Sequence, residues 1–488
     1  MIKLLVLDLG SSSTRALAFN EDLMPLPGEI SREPLNFIST SPGQSEDDPH
    51  QAVARARRVL VKALRQYADL GIRQFDAVAI ASYAGSLLAL DANSQPIGNV
   101  ITYADTRAAG HAAALRKVHE EIDNLQRTGC RIRANYAPAR LAWLQAHNMA
   151  DLSRARHLVS MADYVRLELF GELSTSLSLA SWNGLINRST LEWDATWLRE
   201  FSIATGNTCQ FPAINETPLA LRGLDPELAT LNGALLMPAL GDGAAANLGS
   251  GCTDSSRIAV TVGTTGAMRI VTDQPPGDLP AALWQYRIDR NHALTGGAMS
   301  EGGNIMTWLR QSLNLPDAPA LESALQCMPP DTHGLTVLPF IAGERSPGYG
   351  DASGATMQGI TVGTSALQIV QAWMEAVTFR LAIVCDALRP LADNTAQLFA
   401  SGGALFNSPT WCQMIADATG IELRLCDEPE ATARGVALHA LKFLQPGRAA
   451  PAAKVGSPFT PNPHTGEIYR AAIDRQSALY TIYNTSQP

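Results

Sequence analysis

A chain of 488 residues is more than one ordinary core holds, so two or more domains are expected. Apolar residues make up 46% and charged residues 17%, the balance of a soluble globular protein. The net charge of −9 comes without a Lys/Arg cluster, and no uninterrupted apolar run reads as a signal peptide or a bilayer span, which excludes nucleic acid and membrane as partner classes.

The chain opens on KLLVLDLGSSSTRALAF (3–19), an apolar strand that stops at Asp8 and Gly10, passes through Ser11, Ser12, Ser13 and Thr14, and turns apolar again after Arg15. Two readings are open for it. One is a hairpin with an ordinary polar turn. The other is a phosphate site, with turn amides and hydroxyls as donors and a carboxylate placed to hold a metal ion. Residues 51–71 have helical periodicity and end on Gly71. Residues 75–83 read as a strand and 85–91 as the strand returning after it, whereas 113–129 and 138–148 read as helices. TYADTRA (102–108) places Asp105 and Arg107 on one face of an extended segment, where a surface ion pair is the ordinary explanation. Residues 233–243 form a strand running into Asp242, flanked by Gly241 and Gly243, and a helix follows.

The second half repeats the opening. SRIAVTVGTTGAMRIVTD (256–273) has strand, Gly263, Thr264, Thr265 and strand in the same order, about half a chain length after the first, with Thr261 in place of Asp8. Two such turns imply two related domains, only one of them carrying the carboxylate. Turn residues 339–351 gather Gly343, Glu344, Arg345 and Pro347, where a structural Glu–Arg pair competes with ligand contact. A long helix over 365–391, a strand ending in a glycine turn over 396–408, and a helix over 409–420 follow. A Pro-rich surface connection (446–463) precedes one last short helix. The alternation is that of α/β domains. Cys130, Cys209, Cys252, Cys327, Cys385, Cys412 and Cys426 are scattered with no CxxC, so neither a disulfide framework nor a zinc site is expected, and the compartment is cytoplasmic.

Asp242 is the strongest single candidate for chemistry, as a base accepting a substrate hydroxyl's proton during phosphoryl transfer. Its structural alternative is an N-cap for the helix that follows. Gly402 and Gly403 offer a side-chain-free floor on which an adenine could lie, with Asn407 at its edge; a plain strand-to-helix turn uses the same residues. Neither a GxxxxGK[ST] loop nor a GxGxxG fingerprint occurs, so the phosphate turns belong to hairpins.

In their order, DLGSSSTR, PGQSEDDP, YADTRA, ASWNGLIN, GDGAAANLGSG, TVGTTGAMR, GGAMSEGGNIMTWLR, LPFIAGERSPGY, ASGGALFNSPTWCQMIADATG and EATARGVALHALK make the chain resemble the FGGY family of carbohydrate kinases, within the actin-like ATPase superfamily. The resemblance implies two ribonuclease-H-like domains, 1–248 and 249–488, closing on ATP and a sugar. It makes Asp8 the Mg²⁺-side carboxylate and Asp242 the catalytic base. Gly10, Ser11, Ser12 and Arg15 become the grip on the transferred phosphate. Thr264 and Gly303 fall to the nucleotide phosphates, and Gly402, Gly403 and Asn407 to the adenosine. Tyr83, Gly85, Asp105, Arg107 and Asp242 fall to the sugar. ITYADTRA, ASWNGLIN and AGERSPGY lean towards gluconate kinases, with xylulose or another ketopentose or polyol as the alternative substrate. Ala84 and Gly85 stand where those kinases usually carry Met-His, so a side chain that touches the sugar is missing. An actin-like ATPase without a sugar substrate is the reading from another class. A homodimer is the base-rate assembly.

Overall fold

The computed structural model describes residues 2–147, 152–205, 209–273, 277–350 and 354–485. The chain forms two compact units, one of Met1–Gly249, Gln285–Ala293 and Pro429–Ala452, the other of Ser250–Trp284, Leu294–Glu428 and Ala453–Pro488.

The sheet of the first unit is built on β1 (Lys3–Leu9), β2 (Ser13–Asn20), β3 (Ser31–Pro34), β4 (Ala77–Ser82), β5 (Leu235–Leu236) and β6 (Leu240–Gly241). Its order is β3-β2-β1-β4-β5, with β6 also on β4; β1 and β2 are antiparallel, and β4 runs parallel to β1, β5 and β6. Both faces are covered, which is why β1 reads as a continuous apolar run. Leu5, Leu7 and Leu9 share a core cluster with Ala56, Leu60 and Leu64 of helix Pro49–Asp69. That helix starts cleanly because the Asp48 carboxylate accepts the His50 and Gln51 amides and Pro49 needs no partner for its nitrogen. Alternation turns Leu4, Val6 and Asp8 to the opposite face, the one against helix Ala431–Leu444.

Helix Ala431–Leu444 packs on helix Asp242–Gly249 so closely that a Cβ on Gly249 would collide with the Ala431 carbonyl, and one on Gly435 with the Ala245 carbonyl. This glycine-on-glycine crossing fixes 429–452 to the first unit. The same helix buries His439, whose two ring nitrogens meet no hydrogen-bond partner. Burial first, and then Lys442 and His292, press its pKa down to about 4 against the opposing pull of Asp289. An imidazole held neutral by the fold stabilises it fully above the unfolded value of about 6.5 and loses that contribution as pH falls towards 4. Relative to His439→Leu, the protein should therefore lose about 2 kcal/mol between pH 7.5 and pH 5. Urea midpoints of both proteins at the two pH values check this.

The second unit repeats the strand order. Its β7 (Arg257–Val262) and β8 (Gly266–Thr272) make the hairpin, followed by β9 (Ala293–Met299), β10 (Gln397–Ser401), β11 (Leu423–Cys426) and β12 (Val455–Phe459). The sheet runs β9-β8-β7-β10-β11-β12, with β10 parallel to β7 and β11. Helix Ala366–Leu388, opened by a Ser365/Gln368 capping box, forms its core. Together with its last turn to Leu391 it is long and apolar enough to cross a membrane, contrary to expectation, but 78% of its apolar window is buried inside the unit.

Several local expectations fail for identifiable reasons. Gly85, at φ +70°, turns the chain away, so Leu87–Leu90 does not return along β4 but joins a separate sheet with Glu46–Asp47, Pro96–Ile101 and His157–Val159. The helix read over 113–129 is two, Ala109–Leu115 and Glu121–Thr128; Val118 between them is exposed and gives the middle no hold on the core. Pro238 has no N–H to offer, and 233–243 splits into the two short strands β5 and β6. The helix read over 138–148 is Ala137–His147, Asn148 lying outside the described residues. The Pro-rich connection contains β12, an edge strand in which Pro458 costs no inner hydrogen bond, and the closing helix, Pro463–Thr485, has 23 residues rather than a few. No disulfide joins the cysteines.

Candidate active site

In the first unit the carboxyl ends of three parallel strands meet. Asp8 lies opposite Ala81 of β4, and Gly241 of β6 lies opposite Ser82 on the other side of the same strand. Asp8 and Asp242 thus stand two strand spacings apart, on the order of 10 Å, at the strand ends where open α/β sheets bind ligands.

Asp8 and Arg15 are directly opposed across the β1–β2 hairpin. Arg15 donates through Nη2 to Asp8 Oδ2, and through Nη1 to Glu430 at 2.8 Å. Glu430 precedes helix Ala431–Leu444 and reaches this place only because that helix folds with the first unit. Asp8 is buried, and its Oδ1 has no hydrogen-bond partner. Burial raises its pKa, with Arg15 opposing. A buried carboxylate with one oxygen unspent beside a glycine turn is a donor set that suits a hard divalent cation. The four hydroxyl residues divide by position: Ser11 and Ser12 face outward in the turn, whereas Ser13 and Thr14 are buried in β2, Ser13 Oγ accepting from Arg32 Nε at 3.1 Å.

Asp242 is the first residue of its helix, and its Oδ1 accepts the adjacent Gly243 amide at 2.8 Å. Its flanking glycines have a physical reason that the sequence did not show. The Trp182 indole lies on them, and a Cβ on Gly241 or Gly243 would come within 2.9 or 2.7 Å of its ring. Trp182 in turn stacks on Tyr286 at 3.9 Å between centroids. The close approach is therefore by an aromatic wall.

Of the other expected sugar residues, Asp105 and Arg107 do come together, in a turn rather than an extended segment. Asp105 Oδ2 accepts the Ser45 amide at 2.9 Å and Arg107 Nε at 2.9 Å. Arg107 also pairs with Glu46 at 2.5 Å and lies over the Trp143 ring. Its charge is spent within the protein. Tyr83 is buried against Phe37 and Tyr103, and burial together with Asp47 raises its pKa far above the usual phenol value. Gly85 forms the turn after it.

The second unit contains a cavity of about 1290 Å³ lined by Thr264, Gly303, Gly403 and Asn407 among others, with Trp308 and Met374 on its apolar side. Asn407 is anchored by its Nδ2 on the Gly403 carbonyl at 2.7 Å. Gly402 is not in the lining; at φ +102° it backs onto the β7–β8 turn, where a Cβ would strike the Val262 carbonyl. Gly303 also touches that turn, donating its amide to the Gly263 carbonyl at 2.6 Å. Thr261, in the place Asp8 has in the first hairpin, bonds Ser401 Oγ at 3.2 Å. Glu344 pairs with Arg380 and accepts from Tyr480 at 2.6 Å, so it is structural and its partner is not the neighbouring Arg345; Asp351, the last residue of the stretch read as that turn, is outside the described residues.

The paired sheets are those of a two-domain α/β fold of the actin-like ATPase type. Over 99–100% of the chain the fold superposes on xylulose kinase from Lactobacillus acidophilus (TM-score 0.89, 22% identity, 99% of that chain) and on gluconate kinase from the same organism (TM-score 0.88, 22% identity, 98% of that chain). Gluconokinase from Bacillus licheniformis is 27% identical over 459 residues, 89% of this chain and 86% of the relative. Residues 3–249 match the N-terminal domain, and residues 258–443 the C-terminal domain, of the FGGY family of carbohydrate kinases. The chain belongs to that family and is a carbohydrate kinase, a phosphotransferase for which ATP is the implied donor.

Proposed function

We propose that the protein transfers the γ-phosphoryl group of ATP to a hydroxyl of an aldonate, gluconate foremost. The observation that carries the chemistry is the pair of carboxylates, Asp8 and Asp242, at the ends of the two parallel strands that flank β4, one beside a phosphate-type turn and the other beneath an aromatic wall. Asp242 accepts the proton of the acceptor hydroxyl as that oxygen bonds the γ-phosphorus and the bridging P–O bond breaks to leave ADP. Ser11, Ser12, the Gly10 turn and Arg15 grip the phosphoryl group in flight. Asp8 holds Mg²⁺ or its water; such an ion neutralises phosphate charge. Thr264, Gly303, Gly403 and Asn407 hold the nucleotide, with Gly402 supporting the turn behind them. The gluconate reading is supported by the three gluconate-leaning motifs and by the gluconokinase relative. The absence of disulfides suits a reducing, cytoplasmic setting.

ADP release with Mg-ATP should require an acceptor, and kcat/KM for gluconate should exceed that for D-xylulose by about tenfold or more. A xylulose value more than tenfold higher would reverse the substrate assignment and leave the kinase chemistry standing. ADP release indifferent to any polyol, ketose or aldonate would remove the sugar reading altogether.

A further inference from the structure

One wall of the cavity in the second unit is helix Asn304–Ser312, which presents Asn304, Thr307, Trp308 and Gln311 to it. That spacing is one face of a helix. The helix is tied to the glycine turn of β7 and β8: beside the bond from the Gly303 amide to Gly263, the Asn304 amide donates to the Thr264 carbonyl at 3.2 Å. Trp308 stands one helical turn beyond this anchor, about 6 Å along the axis. Its ring is 37% exposed, whereas Trp411, the other aromatic residue of the lining, is buried. Behind it stands the buried Trp373 of helix Ala366–Leu388, 4.8 Å away between ring centroids at 46°. The brace holds the indole in place, so a ligand stacking on it has little side-chain freedom to freeze.

The rest of the lining suits a flat ring. A Cβ on Gly303 would stand 3.1 Å from the Ala404 Cβ, so the helix and the glycine turn at 402–407 meet beside the phosphate-type turn. A Cβ on Gly403 would meet nothing within 4 Å, and the space over it is open. The polar side chains are largely spent. Glu322 accepts the Ser408 hydroxyl and the Thr410 amide, each at 2.7 Å, and Asn407 Nδ2 is held by the Gly403 carbonyl. A bare floor, a braced indole and few free polar groups favour a ligand bound by its face rather than by its edge.

We propose that Trp308 is the platform on which the nucleobase of the phosphate donor stacks, with the diphosphate at the Thr264 turn and the ribose spanning the helical turn between them. The inference rests on the nucleotide reading of this cavity given above. Its test is titration of the wild type, Trp308→Phe and Trp308→Leu with ADP and with ribose 5-diphosphate, which lacks only the base. Trp308→Leu should bind ADP about tenfold or more weakly and Trp308→Phe within about threefold of the wild type, while all three bind ribose 5-diphosphate alike. If Trp308→Leu keeps its ADP affinity, or loses both ligands equally, Trp308 only packs on Trp373. Should Trp308→Leu fail to fold, 5-fluorotryptophan labelling of the wild type decides. The Trp308 resonance, identified by its loss in Trp308→Phe, should shift with ADP and stay with ribose 5-diphosphate; a resonance that ADP leaves unmoved overturns the platform. The nucleotide reading has its own check, because Gly403→Leu fills the open floor and should abolish ADP binding. Unchanged ADP binding in that variant defeats the reading of the cavity, whatever Trp308 does.

Discussion

Asp242→Asn should fold like the parent and lose about 10²–10⁴-fold in kcat, or roughly 3–5 kcal/mol of barrier. The amide keeps an oxygen for the Gly243 N–H and the volume under Trp182, so the helix start and the aromatic wall stay in place. What disappears is the capacity to take a proton. Nucleotide affinity should not move, because the cavity lined by Thr264, Gly403 and Asn407 belongs to the other unit. Steady-state kinetics beside calorimetric ADP binding separate the two effects. Retention of more than a tenth of kcat would reduce Asp242 to a structural residue of its helix.

Asp8→Asn is expected to lower kcat/KM by about 10²–10³-fold and, on the proposed role, to raise the Mg²⁺ concentration required, since a neutral amide attracts a divalent cation more weakly than a carboxylate and cannot balance Arg15. Its effect on stability should have the opposite sign. Burial raises the Asp8 pKa above its ordinary value even with Arg15 beside it, so the ionised carboxylate weighs against the fold at neutral pH. Removing that charge should leave Tm equal or higher while activity collapses, the signature of a group kept for function. Arg15 retains Glu430 as a partner, which limits the damage to the hairpin. A variant with unchanged turnover, or one that melts early and loses activity only for that reason, would displace Asp8 from the reaction.

The sequence by itself determined what depends on neighbours along the chain. Both hairpins could be read because a glycine turn between two apolar runs is a local instruction, and their recurrence half a chain apart announced the two related sheets. Helices Pro49–Asp69 and Pro409–Thr419 could be read because periodicity, the starting Pro409 and the terminal glycines act within a few residues, whereas the caps Asp48 and Ser408 emerged with the structure. The candidate carboxylates stood out because Asp is unusual at the end of a buried strand. Arg107 was legible beside Asp105 in its motif, but its pairing with Glu46 and its place over the Trp143 ring were not. Only the tertiary structure decided the rest. Glu430 meets Arg15 across 415 positions because two glycines let helices Asp242–Gly249 and Ala431–Leu444 touch backbone to backbone. Trp182 gives the glycines around Asp242 their purpose, and burial leaves one oxygen of Asp8 without a hydrogen-bond partner. Caps and periodicities are properties of a segment, but desolvation and close approach are properties of what folds against it, and they set which charges remain unspent.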